Sequence, residues 1–186
     1  MTENASIKID KLILENDERF GDGLYVEAKL DPTGLRKVWD LLKKVGFKKI
    51  IPINHAHITI IYSRRAPNKT FNPTPINGKV EPSHFEILGG NRGNPYVLVL
   101  VVKSTTLTKK HKEYMKEYQL RYDYREYKPH LTVVYDIARL LPGLKLKSPK
   151  AKKSAENMFN LLIKDMPKQI NILKEDVSVL KIKDKR

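Results

Sequence analysis

The chain contains no cysteine, which excludes a disulfide framework and a thiolate metal site and suits a reducing compartment. It also lacks any apolar run near the roughly 20 residues that a membrane span requires. Residues 1–10 alternate polar and apolar side chains and so lack the apolar stretch of a signal peptide. The expectation is a soluble, cytoplasmic protein with no membrane partner. Acidic residues are scarce, 21 Asp and Glu against 36 Lys and Arg, for a formal charge of +15. Such a field concentrates anions at a cleft, so the partner is expected to be a nucleic acid, a nucleotide or a phosphate-bearing surface. Much of the excess reads as solubilising surface, in the cluster Lys145, Lys147, Lys150, Lys152 and Lys153 and in the tail Lys181, Lys183, Lys185 and Arg186. Charge alone specifies an anion and not which one.

At 186 residues the chain fits one domain, residues 1–186, able to bury a core without metal or disulfide staples. Residues 1–20 form a polar N-terminal extension in which residues 12–14 read as a short strand. Gly23–Leu30 alternates and reads as a strand. Asp31-Pro32 opens a helix, with Asp as N-cap and Pro in the first position. That helix carries Leu35, Val38, Trp39, Leu42 and Val45 at helical spacing and stops near Gly46, which makes the single tryptophan a core packer. A strand over about residues 56–62 comes next. The loop after it, residues 64–78, is rich in Pro, Asn and Thr, and its length suggests a cover over a site. Residues 85–88 and 96–102 read as strands around a turn at 89–95, and residues 105–119 as a helix with Leu107, His111, Tyr114, Met115 and Tyr118 on one stripe. Pro129 marks the start of a further strand. Ser148-Pro149 opens a helix to about residue 165, and residues 177–182 alternate as a last strand. Helices do not follow every strand, so the class is α+β with mostly antiparallel sheets and flanking helices.

Within this frame one pattern occurs twice. His57-Ile58-Thr59-Ile60-Ile61-Tyr62 and His130-Leu131-Thr132-Val133-Val134-Tyr135 share His, apolar, Thr, two apolar residues and Tyr. Alternate side chains of a strand point to the same side, so each copy places its His and Thr on one face. By the same alternation Tyr62 and Tyr135 are expected in the core. Two copies suggest two lobes delivering matched pairs to one cleft. Two facing imidazoles suit acid–base chemistry near neutral pH, one taking a proton from a nucleophile and the other giving one to a leaving oxygen. A phosphodiester needs both acts and carries negative charge. Each Thr hydroxyl would donate to phosphate oxygens as charge accumulates. Neither step needs a metal, and no cofactor is expected. A metal pair at His55-Ala56-His57 lacks a nearby carboxylate or a third histidine at ligand spacing and leaves His130 unexplained. Ser63 lacks the flanking glycines of a nucleophile elbow.

The two His-x-Thr strands resemble those of the two-histidine (2H) phosphoesterase superfamily, whose members have two lobes with one motif in each. Further residues narrow the match: Gly23-Leu24-Tyr25-Val26, the continuation of the first motif through Ser63-Arg64, Tyr122-Asp123-Tyr124, and Tyr127-Lys128-Pro129 ahead of His130, with Tyr135 and Ile137 beyond it. With these the chain is similar to the phage anti-CBASS phosphodiesterases, which degrade the cyclic oligonucleotide signals of bacterial antiphage defence. The resemblance covers residues 23–140 and is loose over 142–186. It implies a two-lobed fold with a central cleft, and metal-independent cleavage of a 3′-5′ bond in a cyclic di- or trinucleotide inside the infected cell. His57, Thr59, His130 and Thr132 fall on the family's catalytic positions. Tyr25 falls on a nucleobase contact, where aromatic stacking is worth about 1–3 kcal/mol per base. Glu175 is the nearest candidate for a base-contacting carboxylate near the start of the last strand.

Other candidates rest on their neighbourhood. Tyr122, Tyr124 and Tyr127 suit base platforms as well as ordinary packing, and Arg64, Arg65 and Lys128 suit phosphate binding as well as solvated surface. His111 reads as a packing histidine and His84 as a surface loop residue. Two other functions fit the same motifs. An RNA-end phosphodiesterase acting on 2′,3′-cyclic or 2′-5′ linkages would show a long basic groove. A noncatalytic binder of RNA or of the signal would not need two complete His-x-Thr pairs. For a cyclic-nucleotide phosphodiesterase no stable nucleic-acid complex is expected.

Overall fold

The computed structural model describes residues 23–90, 94–122, 124, 126–140, 143 and 146–180; the expected strand at 12–14 and the basic tail from Lys181 lie outside them. The strands are β1 (Gly23–Leu30), β2 (His57–Ser63), β3 (Gly78–Gly89), β4 (Tyr96–Lys103), β5 (His130–Val134) and β6 (Ile170–Leu180). Among the described residues four helices accompany them, α1 (Pro32–Lys44), α2 (Thr105–Glu117), α3 (Ile137–Leu140) and α4 (Pro149–Asn160). Every pairing is antiparallel, and the sheet closes in the order β1-β2-β5-β4-β3-β6. The class is α+β.

The helices begin where their capping residues predict. Asp31 accepts from the Thr33 backbone N–H, Ser104 from that of Leu107 and Ser148 from that of Ala151, each satisfying a donor the first turn leaves open. After α1 the chain reverses at Gly46, whose φ of +103° suits glycine alone. Leu35, Val38, Trp39 and Leu42 are buried on one stripe of α1, and the Trp39 indole N–H donates to the Ile51 carbonyl.

The closed sheet divides into two units, β6-β1-β2 and β5-β4-β3, laid side by side in mirrored order. They meet where Ile58 of β2 faces Leu131 of β5, and again where residues 78–80 of β3 face 170–172 of β6. The units repeat each other down to their bulges. Along β1–β2 the register slips between Val26 and Glu27, leaving Ile60 as the extra residue; along β4–β5 it slips between Leu98 and Val99, leaving Val133. The outer strands slip at matching places, between Lys29 and Leu30 beside β6 and between Val101 and Val102 beside β3. A bulge leaves backbone groups without ladder partners, and both inner bulges are closed from outside the sheet. The Val133 carbonyl accepts from the Ile51 N–H at 3.0 Å. The Ile60 carbonyl accepts from His111 Nδ1 at 2.7 Å, and the Thr59 carbonyl from the Tyr127 hydroxyl at 3.0 Å.

These bulges correct one expectation. Strict alternation sends Tyr62 and Tyr135 into the core, but the extra residue in each strand lets two consecutive side chains, Ile60-Ile61 and Val133-Val134, both be buried. Tyr62 and Tyr135 are thereby returned to the side of the histidines, where each lines a cavity. The opposite face carries the core, with Val26, Ala28, Ile58, Leu98, Leu100 and Leu131 packed with Leu35 and Leu42 of α1 and Leu107 of α2.

Four other expectations change. His84 lies within β3 and bonds Glu86, because that strand starts at Gly78 rather than at residue 85. β6 starts at Ile170; the charged run Lys174-Glu175-Asp176 breaks the apolar alternation that would have announced it. α4 ends at Asn160, with a separate 3-10 turn at Ile163–Asp165. The 64–78 loop lies on α2 and lines neither cavity beside the histidines. Phe71 is buried against the Tyr114 and Tyr118 rings, and the Lys110 ammonium donates to the Thr74 carbonyl at 2.7 Å.

Candidate active site

The pairing of Ile58 with Leu131 fixes the geometry of both motifs at once. In antiparallel register the flanking residues fall opposite each other, His57 beside Thr132 and Thr59 beside His130, at Cα separations of about 4.5–5.5 Å. All four side chains are half-buried on the face opposite the core. The structure thus brings together the four residues that the motifs single out, as a crossed square of two imidazoles and two hydroxyls.

Both imidazoles are oriented by the same bond. His57 Nδ1 lies 2.8 Å from the His55 carbonyl, and His130 Nδ1 lies 2.8 Å from the Lys128 carbonyl. A carbonyl oxygen only accepts, so this network assigns the hydrogen to Nδ1 and leaves Nε2 of each ring to exchange a proton.

The flanks differ. On β1, Tyr25 and Glu27 share the face of the first motif. The Tyr25 hydroxyl is 2.7 Å from His57 Nε2 and 3.1 Å from Thr59 Oγ1, and Glu27 reaches within 3.4 Å of His57 Nδ1. With Nδ1 carrying the hydrogen, Tyr25 donates to Nε2. Burial, and beyond it the Glu27 charge, outweigh the Thr59 hydrogen bond and push the Tyr25 hydroxyl up to about 12, so it stays a donor at neutral pH. The matching positions on β4, aligned through the bulges, are Val97, Val99 and Val101. Among the described residues His130 Nε2 has no hydrogen-bond partner.

Among the described residues two cavities flank the square. One, of about 590 Å³, is lined by His57 and Thr132 together with Lys49, His55, Tyr135, Asp136 and Arg139. The other, of about 550 Å³, is lined by Thr59 and His130 with Tyr62, Glu86, Tyr122, Tyr124 and Lys128. Lys128 is held by Glu86 at 2.8 and 3.1 Å. Burial alone would raise the Glu86 carboxyl, but Lys128 and His84 outweigh it and hold it below the usual range. Tyr124 is exposed and tilts against Tyr122 at 5.3 Å. Tyr127 instead stacks flat on His111, 4.0 Å between centroids and 5° between planes, and burial keeps that histidine below its ordinary pKa despite its bond to the Ile60 carbonyl.

A family model described as Anti-CBASS protein Acb1 matches residues 22–161, a span that takes in both motif strands and both cavities. The chain belongs to the Anti-CBASS protein Acb1 family. Curated Acb1 relatives include that of Enterobacteria phage T4, 31% identical over 122 residues that make up 65% of this chain and 77% of the relative. The Escherichia phage RB16 protein is 31% identical over 117 residues, 61% of this chain and 64% of the relative. The Yersinia phage phiR1-RT protein is 30% identical over 123 residues, 64% and 75%.

His57, Thr59, His130, Thr132, Tyr25, Arg64, Tyr124 and Lys128 all lie inside the Acb1 match, and Glu175 lies beyond it. The structure does not bring Glu175 to the histidines. Its partner across the ladder is Ala28, on the core face, where it occupies the position that Phe85 holds in the other unit. There it accepts from the Tyr114 hydroxyl at 2.9 Å and lies 3.8 Å from Lys110 Nζ. Arg64 is exposed just past β2 and lines neither cavity. Sequence reasoning passed over Glu27, although the alternation that selects Tyr25 on β1 selects Glu27 as well. It also passed over Lys49 and Arg139, for which nothing local gives a signal.

Proposed function

We propose that the chain is a metal-independent phosphodiesterase of the two-histidine phosphoesterase kind, two-lobed as its mirrored units suggest, that cleaves 3′-5′ bonds of cyclic di- or trinucleotide signals in the infected cell. Its biological role is then phage counter-defence against CBASS, in keeping with the name of its relatives. The observation that carries this reading is the crossed square, in which two Nδ1-anchored imidazoles stand beside two hydroxyls on paired strands.

The asymmetry of the flanks supports a division of labour. His130 offers an open Nε2 and takes the proton of the ribose 2′-hydroxyl. The O2′–phosphorus bond forms as the phosphorus–O5′ bond breaks, and His57, entering protonated, delivers its Nε2 proton to O5′. The product is a linear nucleotide ending in a 2′,3′-cyclic phosphate. Before the substrate is in place Tyr25 accepts from the protonated Nε2; O5′ then takes over that hydrogen, Tyr25 keeps its donation to Thr59, and the Glu27 carboxylate faces the positive ring. Thr59 and Thr132 donate to the nonbridging oxygens. The exposed Tyr124 ring beside His130 gives a base a stacking platform.

The test is incubation with 3′,3′-cyclic GMP-AMP and with cyclic tri-AMP in excess EDTA, followed by chromatography, with His57→Ala and His130→Ala alongside. Linear products from the parent, and at least a hundredfold less from either variant, are expected (about 10²–10⁴ for loss of one acid or base). Intact cyclic ligands overturn the reading, and opening of 2′,3′-cyclic RNA ends in their place would move the chain to the RNA-end activity.

A further inference from the structure

The two cavities carry opposite chemistry. The cavity beside Thr59 and His130 presents aromatic rings and the Glu86 and Glu126 carboxylates, and Lys128 there is already taken by Glu86. The cavity beside His57 and Thr132 presents Lys49, His55 and Arg139 against the single carboxylate of Asp136. Among the described residues neither Lys49 nor Arg139 is engaged in an ion pair or side-chain hydrogen bond.

The backbone holds these cations in place. Lys49 precedes the segment in which the Ile51 N–H bonds the Val133 carbonyl at the β5 bulge and the Ile51 carbonyl accepts from Trp39. Arg139 follows Asp136, which adopts a φ of +52° immediately after the second motif and accepts the Arg139 N–H on its carbonyl at 3.1 Å. Both cations are thus anchored to the strand that carries His130 and Thr132, and they open onto the space that His57 and Thr132 share.

A cyclic dinucleotide carries a second phosphodiester one nucleotide away from the bond being cut, and that charge must sit somewhere when the first phosphate lies on the square. We infer that the Lys49, His55 and Arg139 cavity is the subsite for the non-scissile phosphate of the substrate. This deepens the proposed function and rests on it. The cationic and acidic cavities together give an otherwise mirrored site one direction, phosphate toward Arg139 and base toward Tyr124. An arginine fork suits a phosphodiester, which offers two nonbridging oxygens.

Steady-state cleavage of 3′,3′-cyclic GMP-AMP, with two phosphates, is compared with that of linear GpA, with one phosphodiester and no terminal phosphate. Arg139→Gln and the Lys49→Gln/Arg139→Gln pair are expected to raise KM for the cyclic substrate by about tenfold, the loss of a charge-assisted contact, with kcat little altered. The rise for GpA is expected to be several-fold smaller. Asp136→Asn, at a left-handed position that Asn tolerates, is expected to lower KM for the cyclic substrate selectively. Equal changes for both substrates, or none for either, overturn the subsite. Should the parent cleave neither, the proposed activity falls, and the subsite is decided by calorimetric Kd values of cyclic GMP-AMP and GpA for the same variants. A parent that binds neither overturns both. These side chains are exposed or border solvent, and matched melting curves confirm folding.

Discussion

The two three-stranded units are alike in backbone and unlike in what surrounds their histidines. Both inner ladders slip at matching residues, both outer ladders slip three residues further along the central strand, and both histidines hang from the carbonyl two residues earlier. Beside one motif stand Tyr25, Glu27 and Lys29; beside the other stand Val97, Val99 and Val101. The repeated backbone sets where the two rings sit. The flanks set what each ring does, since acid–base chemistry needs two groups in different environments.

The largest test of this difference is at the histidines. His57→Ala and His130→Ala are each expected to lower kcat on cyclic GMP-AMP by about 10²–10⁴. They part company on an activated ester: with a 4-nitrophenolate leaving group on a ribonucleoside 3′-phosphate, no proton need be delivered. His57→Ala should recover most of its rate there, and His130→Ala should not. Recovery in both or in neither would show that the flanks do not divide the labour. Next in size are the hydroxyls, which the crossed square treats as equivalent. Thr59→Val and Thr132→Val are each expected to lower kcat by about 10², the order found for loss of one preorganised donor, with KM little changed.

What the sequence made legible follows from how local each signal is. The motif alone places His57, Thr59, His130 and Thr132, because a period of two needs only neighbouring residues. The paired apolar residues Ile60-Ile61 and Val133-Val134 were equally visible, yet a bulge is a property of two strands, and only the partner's register shows that Tyr62 and Tyr135 turn toward the site. Tyr25 became a candidate through family resemblance, whereas its contact with His57 depends on the β1–β2 ladder. The valines of β4 look like any buried strand until the repeat sets them against Tyr25, Glu27 and Lys29. Lys49 and Arg139 lie far apart in the chain and converge only through the β5 bulge. The placing of Glu175 on the core face was hidden for a related reason, since a charged residue in a charged run gives no hint of it.

A smaller effect is expected at Tyr25. Tyr25→Phe keeps the ring and removes the bond to His57 and Thr59, and kcat should fall about fivefold, near the worth of one hydrogen bond. The hydroxyl is pushed up to about 12, so it does not titrate near neutrality, and the drop should be the same factor from pH 6 to 9 by stopped assays. A drop that varies across that window would mean that the bond acts through the proton on His57 and not through orientation alone.

The smallest effect on catalysis, and the sharpest separation of site face from core face, is expected at Glu175. Burial raises its carboxyl above the ordinary 4.5, against the lowering influence of Tyr114 and Lys110. For an acid raised on folding, the stabilising contribution is complete below the unfolded value and is lost as pH climbs through the folded one. At neutral pH the ionised carboxylate is therefore a net burden on the fold. Glu175→Gln is expected to raise Tm at pH 7, with the gain vanishing below pH 4.5, and to leave kcat/KM for cyclic GMP-AMP within about twofold. The family resemblance points the other way, because a carboxylate that reads a nucleobase would show a raised KM when made an amide. Should KM rise while Tm stays fixed, Glu175 belongs to the substrate and not to the core position it shares with Phe85. Should Tm rise while KM stays fixed, nucleobase recognition rests with the rings and the Glu86 carboxylate of the cavity beside His130.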